Sequence, residues 1–471
     1  MTQKAKFILV GLAGLLAGAA LTVNLSAIAD KDAETALPVE ELRAFTDVFA
    51  RIKSDYVEPV EDKKLITEAI NGMLTGLDPH STYLDVEGFK DLQVGTQGEF
   101  GGLGIEVGME DGLVKVISPI EDTPAFKAGV KPGDLIVKLD DTPVKGMTLN
   151  DAVKRMRGKP GSTIKLTIIR KGVDKPVVAT LTRAVIKIRS VKFKLLENGY
   201  GYVRVTQFQE HTGELLADAL NTLYKENKAP LKGLILDLRN DPGGLLNGAV
   251  AVTAAFVEPD SLVVYTEGRT EDAQMRLTAS RENYLRPMQL DYLRSLPEGV
   301  KKVPMVVLVN SGSASASEIV AGALQDHKRA VIMGTRTFGK GSVQTILPIG
   351  NGTAIKLTTA RYFTPSGRSI QAKGIEPDIV VEDPNMPSEE ESMGIREADL
   401  DKHLSNPNGD EPGPESKPSE SIKALPADKP GKDGKDKKPH TLEPGEIVSK
   451  NDFQVNQALN LLKGLQILQG R

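Results

Sequence analysis

The chain has 471 residues, enough for two or three domains of about 150 residues each. Hydrophobic residues make up 40% and charged residues 26%, and a formal net charge of −4 argues against a nucleic-acid binder held by phosphate neutralisation. There is no cysteine, which excludes disulfides, thiolate zinc sites and a cysteine nucleophile.

Lys4 and Lys6 precede an uncharged apolar run from Phe7 to Val23, and Ala27-Ile28-Ala29 fits a small-x-small cleavage pattern. Residues 1–29 read as a secretory signal peptide. An uncleaved membrane anchor is the rival, because the run nearly reaches spanning length. Either reading exports the remainder of the chain, and the expected compartment is the periplasm.

Residues 30–94 are expected to be helical. "LPVEELRAFTDVFARIKSDYV" repeats apolar residues at Leu42, Phe45, Val48, Phe49 and Ile52, a period of about 3.6. "LITEAINGMLTGL" is a second amphipathic segment, and "DPHS" breaks it with a turn. Over residues 95–183 the texture changes. "GGLGIEVG", "LVKVIS", "DLIVKLD" and "TIKLTIIR" are short β-type runs bounded by Gly, Pro and Asp, with one helical segment, "LNDAVKRM", among them. This predicts a small β-rich domain. Residues 184–385 alternate buried-strand patterns ("YGYVRVTQF", "GLILDLRN", "MVVLVN", "AVIMG") with helical ones ("GELLADALNTLYKEN", "ASEIVAGALQDH"). That alternation predicts a mixed core with a packed central sheet, and a multidomain chain of class α/β (α+β). Residues 386–445 are rich in Pro, Gly, Lys, Asp and Glu and read as a disordered linker. Residues 446–471 close with an amphipathic helix carrying Phe453, Val455, Ala458, Leu459, Leu462 and Leu465 on one face. Such a helix suits docking on the protein's own core or on another subunit.

The stretch "GTRTFGKG", residues 334–341, imitates a phosphate-binding loop. Gly341 stands where Ser or Thr would bind Mg²⁺, and the loop comes near the end of its domain, so nucleotide binding is disfavoured. Upstream, "VNSGSASASEIVAGAL" carries a strand into a Ser-rich turn and a helix opening near Ser317-Glu318. A serine there has helix N-terminal amides at hand for a developing oxyanion; the plain alternative is that Ser and Glu merely cap the helix. Of the histidines His80, His211, His327, His403 and His440, the last two fall in the linker and none has the signature of a triad base. A lysine is the other base, provided burial depresses its pKa from about 10.4. Lys340 sits between Gly339 and Gly341 beside Phe338, one strand-helix-strand unit after the serine turn. "LILDLRNDPGG" ends a buried strand with Gly243 and Gly244, whose amides are open to close approach.

With these motifs the chain resembles the carboxyl-terminal processing peptidases, the tail-specific serine proteases. The resemblance rests on "DPHSTYL", "GGLGIEV", "LILDLRNDPGG", "NSGSASASEIVAGALQD", "GTRTFGKGSVQT" and "GIEPDI", in the family's order across about residues 40–382. It implies Ser315 as nucleophile, where spacing alone does not choose among Ser313, Ser315 and Ser317. It implies Lys340 as general base, Gln344 orienting the Lys340 amine, and an oxyanion hole from the amides of Gly243 and Ala316, with Gly244 the less favoured donor. It also makes the β-rich domain a PDZ domain, whose Leu103, Gly104 and Ile105 amides would take a peptide C-terminus. Family members use this domain to gate the active site through an arginine, for which Arg183 is the candidate. The implied function is an exported serine endopeptidase cleaving proteins near their C-termini, with neither metal nor cofactor. The alternative is a non-catalytic PDZ scaffold or adaptor of the envelope. Expected partners are protein substrates, further copies of the chain and a separate envelope adaptor, with no nucleic acid.

Overall fold

The structure is a computed structural model and describes residues 37–120, 122–173, 175–187, 189–197, 199–382, 395–409 and 447–469. The expected signal peptide or anchor, 1–29, lies outside the described residues. Among those residues no helix is long and apolar enough to cross a membrane. The chain divides after Gly72 into two compact units. In the first, helix α1 (Val39–Asp55) has the predicted amphipathic pattern yet buries none of its residues. Leu42, Phe45 and Val48 are exposed. Helix α2 (Asp62–Thr75) follows.

In the second unit, β1 (Thr82–Leu84), α3 (Val86–Gln97) and β2 (Glu99–Gly102) lead into the β-rich domain. Asp85 caps α3 by accepting the Gly88 amide at 2.7 Å. The domain comprises β3 (Ile105–Glu110), β4 (Leu113–Pro119), the short helix α4 (Pro124–Lys127), β5 (Leu135–Leu139), β6 (Thr142–Pro143), α5 (Leu149–Met156), β7 (Thr163–Ile169) and β8 (Val177–Thr182). Its sheet runs β3-β4-β5-β7-β8, all antiparallel, which leaves β3 as an edge. Alternate residues Val114, Val116, Ile164, Leu166 and Ile168 fill its own core. The chain leaves through β9 (Ala184–Lys187), which pairs antiparallel with β2, so the two connections to the rest of the unit run side by side.

The core domain contains β10 (Val191–Glu197), β11 (Tyr200–Val205), α6 (Thr212–Asn227), β12 (Gly233–Asp237), α7 (Leu246–Ala254), β13 (Leu262–Gly268), β14 (Arg276–Thr278), α8 (Arg281–Tyr284), β15 (Met305–Val309), α9 (Ala316–Asp326), β16 (Val331–Gly334), β17 (Ser342–Gly350), β18 (Thr353–Phe363) and β19 (Ile379–Val380). Its main sheet has the order β10-β11-β12-β15-β16-β19, antiparallel only at β10/β11. Strands β12 and β15 are buried throughout because both faces are covered. Leu234, Leu236, Val307 and Val309 pack with α6, α7 and α9 on one face. Ile235, Val306 and Leu308 point to the other, where helix α10 (Phe453–Gln469) lays down Val455, Ala458, Leu459 and Leu462. The C-terminal helix therefore forms a third layer on its own core. A second sheet, β1-β18-β13-β14 with β17 beside β18, is antiparallel.

The linker reading needs revision at one place. Residues 395–409 lie within the span 386–445 that composition marks as disordered, yet they pack on the core, and Glu397 there is fully buried. Short polar anchors hold this piece: Asn406 donates to the Gln371 carbonyl at 2.8 Å, and Asn408 accepts the Ser369 amide at 2.8 Å. Composition registers how few apolar residues a segment has, and misses side-chain hydrogen bonds to a distant surface.

Candidate active site

Three loops meet where the parallel strands β12, β15 and β16 end. This edge of an open α/β sheet is where binding loops gather. The β12 loop carries Asp241 and Gly243, the β15 loop carries Ser313, Ser315 and Ser317, and the β16 loop carries Phe338 to Gly341. Two of the three serines hold the loops together. The Ser313 hydroxyl donates to the Leu238 carbonyl at 2.8 Å, and that of Ser317 to the Asp241 carbonyl at 2.9 Å. Both are fully buried, whereas Ser315 is partly exposed.

Ser315 precedes helix α9 with φ 56° and ψ −113°, a conformation strained for a residue with a Cβ. Its amide donates to Glu318 Oε2 at 2.7 Å. The same oxygen accepts the Lys340 amide at 3.0 Å, and Oε1 accepts the Gly339 amide at 2.8 Å and the Thr337 hydroxyl. One buried carboxylate thus binds the serine turn to the lysine loop. Burial pushes the Glu318 carboxyl up to about 7 although these donors favour its ionised form. Lys340 is pulled down to about 8, first by burial of its ammonium and next by the charge of Lys356; Glu397, Glu318 and Asp78 oppose the shift. The lysine is therefore nearly half neutral at mildly alkaline pH, as an amine base requires.

The Tyr362 hydroxyl donates to the Lys340 carbonyl, and the Ser315 side chain lies beside it. Among the described hydrogen bonds none joins the Ser315 hydroxyl to the Lys340 amine. Gly243, at φ 93°, packs so closely on the serine turn that a Cβ would lie 2.8 Å from the Ala316 nitrogen. The Gly243 and Ala316 amides are thus neighbours, although that of Gly243 is turned onto Asp241 Oδ1 at 2.8 Å. Asp241 is fully buried, its Oδ2 has no partner, and burial pushes its carboxyl up to about 7. Gln344 lies on β17, with its amide donating to Ser342 at 3.0 Å and Thr358 at 3.3 Å, not to Lys340.

Leu103 and Gly104 lead into β3, which begins at Ile105 and is an edge of its sheet. The loop is fixed from behind, where the Leu103 carbonyl accepts the Ala125 amide and the Gly104 carbonyl accepts the Ile120 amide. Arg183 is committed within the same domain. Its guanidinium donates to the Met156 carbonyl at 3.0 Å, the Arg155 carbonyl at 2.8 Å and the Thr163 carbonyl at 2.9 Å, and so clamps the end of α5. The structure does not bring it to Ser315 or Lys340.

Sequence reasoning passed over several members of this cluster. Glu318 looks like a helix cap and does more. Tyr362 and Lys356 come from β18, whose alternation gives no hint that it crosses the lysine loop. His80 and Asp78 belong to "DPHS", read as a turn and, within "DPHSTYL", as part of the family resemblance, with no place in the site. Asp78 there accepts the Ser81 and His80 amides and the Thr358 hydroxyl, tying this segment to β18. Among the described residues no group of three or more His, Asp or Glu is placed to hold a metal.

Sequence matches assign the two domains to a protease core preceded by a PDZ domain. The profile of Peptidase family S41 matches residues 199–381 and that of the PDZ domain residues 101–181. A third, the Activating protease CtpB N-terminal domain, matches residues 8–88. The chain is 44% identical over 457 residues to the carboxy-terminal-processing protease of Bartonella bacilliformis, covering 96% of this chain and 94% of that one. It is 36% identical to the carboxy-terminal processing protease CtpA of Bacillus subtilis, over 78% of this chain and 74% of the relative. Among solved structures, the photosystem II D1 C-terminal processing protease matches 76% of this chain and 91% of its own at 31% identity, with a TM-score of 0.40. The chain belongs to the carboxy-terminal processing proteases of peptidase family S41.

Proposed function

We propose that this chain is an exported serine endopeptidase that cuts proteins near their C-termini, with Ser315 as nucleophile and Lys340 as general base. The observation that carries the reading is the shared carboxylate of Glu318, which accepts the backbone of both residues at 2.7 and 3.0 Å. The depressed pKa of Lys340 and the strained backbone of Ser315 support it.

In the proposed reaction the Ser315 hydroxyl turns to the neutral Lys340 amine. Lys340 takes the proton as Ser315 Oγ attacks the scissile carbonyl carbon. The oxyanion is held by the Ala316 amide and by the Gly243 amide once it leaves Asp241. The C–N bond breaks as the lysine ammonium protonates the leaving amine. Water then attacks the acyl ester, with Lys340 again accepting the proton. Gln344 joins this arrangement by turning its side chain from Ser342 toward the lysine amine.

The PDZ domain recognises the substrate's C-terminus by strand addition along β3, with its carboxylate on the amides of Leu103, Gly104 and Ile105. Because β2 and β9 pair with each other, a bound peptide moves both connections together, and gating is assigned to that ribbon; the commitments of Arg183 speak against it as the trigger. The exposed apolar face of α1 suits contact with a second copy of the chain or an envelope adaptor, and the N-terminal apolar run suits export to the periplasm.

The test is cleavage of an unfolded protein with a defined C-terminus by parent, Ser315→Ala and Lys340→Ala, each shown to be folded. Both variants should lose proteolysis; full activity in either overturns the assignment.

A further inference from the structure

Beyond the end of the protease match at residue 381, the piece 395–409 returns to the site. Its first turn, Glu397–Asp399, puts the Glu397 amide on the Phe338 carbonyl at 3.2 Å, two residues before Lys340. The Glu397 carboxylate is fully buried and is met by two groups. His80 Nε2 lies 2.8 Å from Oε2 and 3.0 Å from Oε1. The Gln371 side-chain amide donates to Oε1 at 2.9 Å. The other end of that same amide accepts the Gly341 backbone N–H at 3.0 Å. The fit is tight, since a Cβ on Gly341 would lie 2.4 Å from the backbone nitrogen of Gln371. The lysine loop is thus held at several points: the Glu318 carboxylate accepts the Gly339 and Lys340 amides, the Glu397 backbone amide donates to the Phe338 carbonyl, and the Glu397 carboxylate reaches Gly341 through Gln371.

We infer that residues 395–409 are a strap belonging to the catalytic apparatus, and that Glu397 is a positioning residue that fixes the Lys340 loop. The inference rests on the Ser315/Lys340 reading. Two observations argue against a merely adhesive segment. A fully buried carboxylate is costly unless its site is built for it, and two distant chain regions, at His80 and Gln371, supply that site. A charge here also acts on Lys340 directly. Lys340 faces Lys356 from β18, Glu318 from α9, Asp78 from the turn before β1, and Glu397; His80 sits on Glu397, and the Tyr362 hydroxyl on the Lys340 carbonyl. Glu397 favours the lysine ammonium, so it offsets part of the shift produced by burial and Lys356. Loss of its charge moves the lysine further toward the neutral form.

The test uses the full chain with the variants Glu397→Ala and Glu397→Gln, beside Lys340→Ala, in the proteolysis assay. Glu397→Ala should lower kcat by on the order of 10–100-fold with KM within about two-fold, as expected for a displaced base. Glu397→Gln keeps the volume and one acceptor, and should recover most of the rate. Its kcat/KM acid limb should move to lower pH by roughly 0.3–1 unit, because a negative charge near the ammonium is gone. Should Glu397→Ala fail to fold, Glu397→Gln carries the test through its pH profile. Parental rates in a folded Glu397→Ala, or an acid limb unmoved in Glu397→Gln, overturn the inference while leaving the Ser/Lys reading intact. Full activity in Lys340→Ala instead removes the Ser/Lys reading itself, and the strap's assigned role with it.

Discussion

Ser315 and Lys340 share one oxygen atom: Glu318 Oε2 accepts the backbone N–H of both, at 2.7 and 3.0 Å. The nucleophile's turn and the base's loop come from different strands, and their spacing depends on this carboxylate. Helix α9 starts at Ala316, so the same side chain also faces the helix N-terminus, where a negative charge is favoured.

Glu318→Gln should therefore cost more than a cap mutation. Four donors converge on the carboxylate, and an amide offers one oxygen and turns its own N–H groups toward the rest. The expected result is a loss of on the order of 100-fold in kcat and about 2–4 kcal/mol in stability. Proteolysis rates and urea unfolding check both. A kcat near that of the parent would show that the clamp does not position the pair.

The pH–rate profile should report the lysine. With Lys340 pulled down to about 8, kcat/KM should rise with pH and level off above that value. After burial, Lys356 is the strongest influence against its ammonium. Lys356→Met removes that repulsion, raises the lysine pKa and should move the acid limb to higher pH, opposite in sign to Glu397→Gln. A limb that stays put or moves down would contradict the assignment.

Lys340 should also cost stability. Its folded pKa of about 8 lies below the ordinary 10.5, so the folded state binds the proton more weakly than the unfolded chain. Stability is then lowest below pH 8 and recovers as pH rises from 8 toward 10.5. Lys340→Met should abolish activity and yet stabilise the fold at pH 7 by roughly 1–3 kcal/mol, with a flatter pH dependence between about 8 and 10.5. Urea unfolding at about pH 7 and pH 10 measures it; a destabilised variant would mean that the ammonium is well solvated.

The C-terminal helix is anchored by charge as well as by packing. Arg239 donates to buried Asp237 and, across to the helix start, to Asp452 at 2.8 Å and Gln454 at 2.8 Å. Tyr202 also donates to Asp237 at 2.7 Å. Burial raises the Asp237 pKa, but Arg239, with Arg204 and the Tyr202 hydroxyl, together outweigh it and hold the carboxyl below its usual value. Arg239→Met strands that carboxylate and should cost about 3–5 kcal/mol. Asp452→Ala leaves Arg239 its main partner and should cost clearly less. Leu462→Ala, at a fully buried position on the sheet, should cost about 2–5 kcal/mol. Chemical unfolding of the three variants tests the order.

The sequence by itself determined what local pattern can carry. Period-2 and period-3.6 apolar spacing located α1, α6, α9, the buried strands and the apolar face of α10, and the motifs marked the serine turn, the Gly-Gly turn and the lysine loop. That Ser315 differs from its neighbours was not legible in "SASAS". It follows from the hydroxyls of Ser313 and Ser317 bonding to carbonyls on the β12 loop, 75 and 76 residues away in sequence. Nor could spacing show that Glu318 faces two loops, that Gly243 turns its amide onto Asp241, or that Gln344 faces Ser342. Arg183, singled out as a gate, is occupied by the end of α5. Residues 395–409, too poor in apolar side chains to look ordered, are fixed by Glu397, Asn406 and Asn408. Only the tertiary structure decided these points, because a hydrogen bond's worth depends on which distant donor meets which buried acceptor. Apolar periodicity survives in the one-dimensional string; that pairing exists only once the strands are side by side.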